Sequence, residues 1–333
     1  MTGVLAMGDY GHQRCGVGSS LAALTASLAT SAGDPPIAVL DTGAPGLRAF
    51  ARAARASARS GATCVMEYPT ASTVLQPDLV VRAVLLRALF GRRRLRLHLH
   101  EFRHLRRLLR WPVKFAALLP SRVVVSNDAE RAALRAALGG LVGRVTEVVV
   151  APPTNGTAPT DAEVAAALVD VPDRARVVGV FGMRRPDKGL DWLVDVLGRL
   201  DPRFDRLVLA GAGWDGMEWP AALRARYEIE VLGHVDRRDL PAMFASWGLA
   251  VAPLWEPAQD GRMSLRTPLA YGVPTISVGP ATGALTLRPR HLLLVPPADP
   301  SSIPGAVDRA GGAADVAAFE RATADALAAA LFA

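Results

Sequence analysis

The sequence predicts an α/β protein made of two doubly wound, Rossmann-like domains with parallel sheets. Three observations carry that expectation. Short apolar runs alternate with segments of helical length along almost the whole chain, the pattern of strands joined by crossover helices. The second half repeats the plan of the first. Between them lies Pro152-Pro153-Thr154-Asn155-Gly156-Thr157-Ala158-Pro159, a cluster of turn and breaker residues suited to a hinge.

In the first half Val4–Met7, Ile37–Leu40, Ala62–Met66, Leu95–Leu99, Val123–Ser126 and Glu147–Val150 read as strands. Most are continuous aliphatic runs, as strands buried on both faces require. Val177–Phe181, Leu207–Ala210, Glu228–Leu232, Leu249–Ala252, Thr275–Val278 and Leu292–Val295 do the same in the second half. Residues 1–155 then form the first domain, 156–173 a linker and 174–313 the second domain. Residues 314–333 form an Ala-rich terminal helix that packs back toward the first domain. Domains of this kind bind ligands beyond the carboxyl ends of their strands, and two facing each other enclose a cleft.

At 333 residues, 50% hydrophobic and 21% charged, the chain can bury two cores and is too apolar for disorder. Only Cys15 and Cys64 occur, in no metal-ligand spacing, which speaks for a reducing cytoplasm without disulfides or zinc. The first ten residues lack the basic start and apolar run of a signal peptide. No uncharged apolar stretch nears the roughly 20 residues that cross a bilayer. The expectation is a soluble cytoplasmic protein, or one held peripherally at the inner membrane face. The net charge of +7 is concentrated, with Arg92, Arg93, Arg94, Arg96, Arg103, Arg106, Arg107 and Arg110 in one short stretch. A solvated helix face and an anionic partner such as a membrane surface both fit that stretch. Nucleic acid fits less well, because aromatics for base stacking are sparse.

The densest chemistry lies in Gly182-Met183-Arg184-Arg185-Pro186-Asp187-Lys188-Gly189, directly after a strand and before a helix. Arg offers forked hydrogen bonds and Lys a compact charge, a pairing suited to a diphosphate. An ordinary loop with solvated basic residues fits the same letters. Further on, Ser264 stands where it would cap a helix beginning at Leu265, and a helix start offers free N–H groups to a phosphate. In the first half Gly16-Val17-Gly18 suggests a dinucleotide turn, but a third glycine would fall at Leu21 and the fingerprint fails. Strand alternation sends His98 and His100 to one side, with His100 at or beyond the carboxyl end. No third ligand accompanies them, so a metal pair is not expected.

Several of these segments, in register, resemble the retaining GT-B glycosyltransferases of family 4, the group 1 glycosyltransferases. Gly182–Gly189 is similar to the family's G-x-x-R-P-x-K-G, which implies that Arg185 and Lys188 hold the donor diphosphate. Leu207–Gly213 resembles its second strand and glycine turn at Gly211, and Val231–Val235 its nucleobase segment, with backbone contacts near His234 and Val235. Glu256-Pro257 looks like the family's "EP". Asp260, Gly261, Arg262, Ser264 and Leu265, followed by Ala270-Tyr271-Gly272-Val273-Pro274, look like its donor loop and helix. Arg14–Gly18 resembles a "CGIG" opening, which places Gly16 and Gly18 at the donor phosphate. Leu97–Arg103 is similar to a strand end whose last His sits by the reacting sugar. That implies His100 there, with Glu101, Arg103, Glu67 and Tyr68 toward the acceptor.

The chain departs from the family where two glutamates stand eight positions apart, since those positions are Gln259 and Thr267; Thr267 takes the place of the ribose contact. The resemblance implies a retaining transfer from an NDP-sugar, UDP- or GDP-linked, to the hydroxyl of a lipid-linked sugar, a polysaccharide or a natural product. Arg185, Lys188 and the helix start at Ser264 would stabilise the leaving diphosphate. No cofactor or metal is expected, the nucleotide sugar being a substrate. Two alternatives stand beside it: a degenerate GT-B protein that binds without turnover, and a sugar-nucleotide epimerase.

Overall fold

The computed structural model describes residues 4–8, 37–41, 46–68, 79–99, 102–105, 110–151, 158–169, 171, 173–184, 188–254, 258, 262–279, 292–295, 316–318, 326–327 and 329–331. The chain divides into two compact units, residues 1–156 with 322–333 and residues 157–321. Among the described residues no helix is long and apolar enough to cross a membrane.

The first unit is built on strands β1 (Val4–Gly8), β2 (Ile37–Asp41), β3 (Thr63–Tyr68), β4 (Leu95–Leu99), β5 (Arg122–Val125) and β6 (Glu147–Val150). They pair in the order β2-β1-β3-β4-β5-β6, every pair parallel. Helices α1 (Leu47–Arg59), α2 (Leu79–Phe90), α3 (Arg110–Ala117) and α4 (Asp128–Leu138) accompany the sheet. Phe50 and Ala54, one turn apart on α1, join Cys64, Met66, Leu97, Leu99, Val123 and Val125 in one core. Burial pushes the Cys64 thiol well up. The α4 helix starts where Asn127 accepts the Glu130 N–H at 2.9 Å, as a short polar cap residue should.

Strand alternation turns Val65 and Val124 to the other side, where they meet Ala151, Leu327 and Leu331. Arg96 and Arg122 share the Val124 parity. Arg96 Nε donates to the Leu331 carbonyl at 2.8 Å and Arg122 Nη1 to that of Ala330 at 3.2 Å. Burial, then the Arg122 charge, lowers the Arg96 pKa.

The second unit carries β7 (Val177–Phe181), β8 (Arg206–Ala210), β9 (Glu228–Gly233), β10 (Leu249–Ala252), β11 (Thr275–Val278) and β12 (Leu292–Val295). The order is β12-β11-β10-β7-β8-β9, again all parallel. One side of the sheet packs on α6 (Leu190–Arg199) through Trp192, Leu193, Val196 and Leu197, and α7 (Ala221–Arg226) and α8 (Leu240–Ala245) follow along the chain. A second cluster gathers Val177, Val208 and Ala210 with Phe244, Trp247 and Tyr271, where Phe244 and Tyr271 stack at 4.8 Å. The twelve predicted strands are all present, within two residues of their expected ends.

One difference concerns residues 156–173, expected as a linker. They contain α5 (Asp161–Ala167), which lies in the second unit. Thr160 and Glu163 form a reciprocal capping box, and Ala167 joins Leu240, Met243 and Phe244 of the second cluster. A local start signal and an apolar stripe therefore outweigh the breaker residues just upstream.

Candidate functional site

In the second sheet the order reverses between β7 and β10. From β7 the chain moves to β8 and β9 on one side; from β10 it moves to β11 and β12 on the other. Loops leaving the carboxyl ends of two such strands diverge and open a crevice, the usual ligand position in doubly wound sheets. The loop after β7 ends at Lys188, and the segment after β10 leads into α9 (Met263–Ala270). They meet there: Lys188 Nζ donates to Ser264 Oγ at 2.7 Å, with Ser264 buried and Lys188 half-buried.

Backbone geometry fixes this meeting point. The Gly182 N–H donates to the Ala210 carbonyl at 2.7 Å, the Gly211 N–H to that of Gly233 at 2.6 Å and the Arg184 N–H to that of Ala212 at 2.9 Å. The ends of β7, β8 and β9 are thereby tied together. Gly211 has φ 135, and a Cβ there would stand 2.3 Å from the Gly182 carbonyl oxygen. At Gly182, φ 107, a Cβ would press on the Ser264 Cβ at 3.0 Å and lie 3.7 Å from Lys188 Nζ. Neither position admits another residue without a shift of backbone. Trp214 Nε1 completes the frame by donating to the Gly182 carbonyl at 2.9 Å.

The start of α9 corrects one expectation. The helix begins at Met263, and the Arg262 carbonyl accepts from Leu265 at 2.9 Å and Arg266 at 3.1 Å. Ser264 therefore sits inside the first turn, and its hydroxyl receives the lysine instead of capping a backbone N–H. The functional content is unchanged in kind: a helix N-terminus and an ammonium converge on one point, which favours an anion. Among the described residues no group of three His, Cys, Asp or Glu is arranged to hold a metal ion.

Of the residues singled out from the sequence, Gly182, Lys188, Gly211 and Ser264 come together here. His234 is exposed just beyond β9, with Nε2 3.9 Å from Asp236, and Val235 beside it is half-buried. Arg262 is half-buried at the start of α9. Gly16, Gly18, His100, Glu101, Arg185, Glu256 and Gly261 lie outside the described residues, and of Tyr68 only the backbone is described, at the end of β3. Arg103 is exposed; its N–H donates to Glu130 Oε2 at 3.1 Å.

Two expectations are corrected. Glu67 does not face an acceptor: it is 1% exposed, and its Oε1 lies 3.1 Å from Nδ1 of the equally buried His98, its register partner on β4. Thr267 is completely buried one turn beyond Ser264, so its hydroxyl has no surface to offer a ribose. The Leu265 side chain belongs to the core, and its N–H donates to the Arg262 carbonyl at 2.9 Å. The sequence reading missed Trp214, Arg184 and Arg266. Arg184 is exposed, with Nη1 3.4 Å from the Gly213 carbonyl, and Arg266 is 4% exposed beside Ser264 on α9. The adjacency of the Gly211-Ala212-Gly213 turn and Trp214 was the available signal for the first two.

Residues 175–310 match the family model of the glycosyl transferases group 1. No curated protein sequence matches the chain. Among solved structures, HepE of Anabaena in complex with UDP and glucose is similar at 17% identity. That match covers 98% of this chain and 95% of that one, with a TM-score of 0.60. Sucrose-phosphate synthase from Thermosynechococcus elongatus is similar at 17% identity, covering 99% and 92%, with a TM-score of 0.58. An α-glucosyltransferase in complex with UDP and DNA is similar at 12% identity, covering 83% and 79%, with a TM-score of 0.53. The two parallel-sheet units thus have the fold of GT-B glycosyltransferases, and the second carries the group 1 match over residues 175–310.

Proposed function

We propose that the chain is a retaining glycosyltransferase that moves a sugar from a nucleoside diphosphate donor to an acceptor hydroxyl without a metal ion. The observation that carries this reading is the 2.7 Å contact of Lys188 with Ser264 at the switch point between β7 and β10. A donor diphosphate entering that point would take the ammonium from the serine hydroxyl. It would also accept from the first N–H groups of α9. As the bond from sugar to phosphate breaks, negative charge grows on the departing diphosphate, and Lys188 is preorganised to meet it. Arg185 shares that load, and the base lies by His234 and Val235. Glu256, Gly261, Arg262 and the Leu265 backbone border the donor. The family resemblance assigns Gly16 and Gly18 to donor binding. His100 orients the reacting sugar or the nucleophile, with Glu101 and Arg103 toward the acceptor. The HepE structures are complexes with UDP and with UDP-glucose, which favours a UDP-sugar.

The test is a thermal-shift panel of UDP, GDP, ADP and dTDP, with and without EDTA, on wild type and Lys188→Ala. The expected result is a rise for one nucleotide, indifferent to EDTA and lost in the variant. No shift with any nucleotide at millimolar concentration would sink the reading. Release of nucleoside diphosphate only when acceptor is present separates transfer from isomerisation and from binding without turnover.

A further inference from the structure

The helical layer of the first unit has a composition that the transfer reading does not use. Helices α1, α2 and α3 together contain seven arginines, one lysine and no aspartate or glutamate. By contrast α4 opens with Asp128 and Glu130. A solvated helix face ordinarily mixes both signs, which limits self-repulsion and supplies pairs within a helix. On α1, Arg48, Arg52, Arg55 and Arg59 are all exposed.

Within this basic layer several large apolar side chains remain exposed. Trp111 is 70% exposed and Phe115, one turn on along α3, 44%. On α2, which packs against α3, Val81 and Val84 are 50% and 45% exposed. Lys114 holds its ammonium 5.3 Å from the Trp111 ring, so cation and aromatic occupy one spot. An exposed tryptophan with a phenylalanine one turn away needs an occupant that accepts both rings and the charges around them. A protein partner would be expected to answer the rings with an apolar patch and the charges with carboxylates, placed residue by residue. A lipid interface supplies both at once: acyl boundary for the rings, phosphate for the cations.

We propose that the outer face of α1–α3, with Trp111 and Phe115 as its apolar anchor, docks on an anionic lipid bilayer. The rings enter the headgroup boundary, Lys114 reaches the phosphates beside Trp111, and the α1 arginines add charge attraction along the surface. This surface does not depend on the transfer chemistry.

The experiment is cosedimentation of the full chain with phosphatidylcholine vesicles, with and without phosphatidylglycerol, at low and high salt. Binding is expected only with the anionic lipid and is weakened by salt. The Trp111→Ser/Phe115→Ser pair should lower the partition coefficient roughly tenfold, and Lys114→Glu about fivefold or more. Because these side chains are exposed, both variants should melt with wild type. Brominated phosphatidylglycerol should quench part of the tryptophan emission, and Trp111→Phe should remove that part. Absence of binding to anionic vesicles at low salt would overturn the proposal, as would binding undiminished in the double variant. A concentration-dependent dimer abolished by the same pair, without vesicle binding, would assign the face to a second copy of the chain and overturn it equally.

Discussion

The indole N–H of Trp214 donates to the carbonyl oxygen of Gly182 across 2.9 Å, from the loop after β8 to the loop after β7. Trp214 is 1% exposed, so the bond is shielded and the ring immobile. Trp214→Phe keeps most of the packing and removes the donor. It should cost about 1–2 kcal/mol in denaturant unfolding. It should also weaken binding of the preferred nucleoside diphosphate, because the loop that carries Lys188 loses a tie. Unchanged nucleotide affinity in calorimetry would detach Trp214 from the site.

Gly211→Ala confronts the same oxygen from the other side. The new Cβ would fall 2.3 Å from it at φ 135, so the ends of β7 and β8 must separate. A loss of about 3 kcal/mol or more is expected. Gly216→Ala is the control: its φ is 71, nothing lies within 4 Å of its Cβ position, and about 1 kcal/mol is expected. Equal urea midpoints for the two variants would contradict the crowding.

Lys188→Ala should lower kcat/KM by about 10²–10³, the range seen when one preorganised donor to a developing oxyanion is removed. Lys188→Arg should recover little. Its planar fork is longer than an ammonium and does not fit a hydroxyl 2.7 Å away on a buried serine. Steady-state kinetics with the donor identified by thermal shift distinguishes the two.

Glu67 and His98 call for a double-mutant cycle. Both side chains are wholly buried and lie 3.1 Å apart on neighbouring strands. Each truncation alone removes a hydrogen-bond partner from the other buried side chain and should cost about 1–3 kcal/mol. Glu67→Gln with His98→Gln should cost clearly less than the sum. Additive losses in chemical denaturation would show that the two side chains do not act as a pair.

Alkaline stability should depend on Tyr227. Its hydroxyl donates to the Leu197 carbonyl at 2.7 Å. Burial pushes its pKa up to about 12, against a smaller opposing effect of Arg226. In the unfolded chain tyrosine loses its proton near pH 10. The unfolded state therefore binds fewer protons in this range, and stability falls as pH rises. The contribution is complete below about pH 10 and lost toward pH 12. Tyr227→Phe should flatten part of that alkaline limb. Tyr271, also raised by burial, should keep the rest, as melts across pH 8–12 would show.

Strand positions were legible because a parallel sheet buried on both faces leaves a simple trace, an uninterrupted aliphatic run such as Val123-Val124-Val125. Lys188 and Gly182 were legible because a strand, a glycine and a basic residue are local in sequence. Contacts set by register were not. Nothing near Glu67 indicates that His98, 31 residues on, stands opposite it at 3.1 Å. The capping role of Ser264 failed for a smaller reason. The helix began two residues before the expected Leu265, at Met263, which turned a cap into a buried acceptor for a residue 76 positions away. Helix α5 was hidden by the prolines preceding it, although its Thr160/Glu163 box is itself a sequence signal.

The contacts of Leu327 and Leu331 with Val65 and Val124 impose an order of events during synthesis. On a growing chain, amino-terminal domains ordinarily complete themselves first. Here β1–β6 emerge early, yet Val65 and Val124 gain Leu327 and Leu331 only when residues 327–331 arrive, and Arg96 and Arg122 wait for the carbonyls of Leu331 and Ala330. Residues 322–333 belong to the first unit and not to the second. The unit translated first is thus the last to close, and during that interval Val65 and Val124 are the surface that a nascent-chain chaperone would meet.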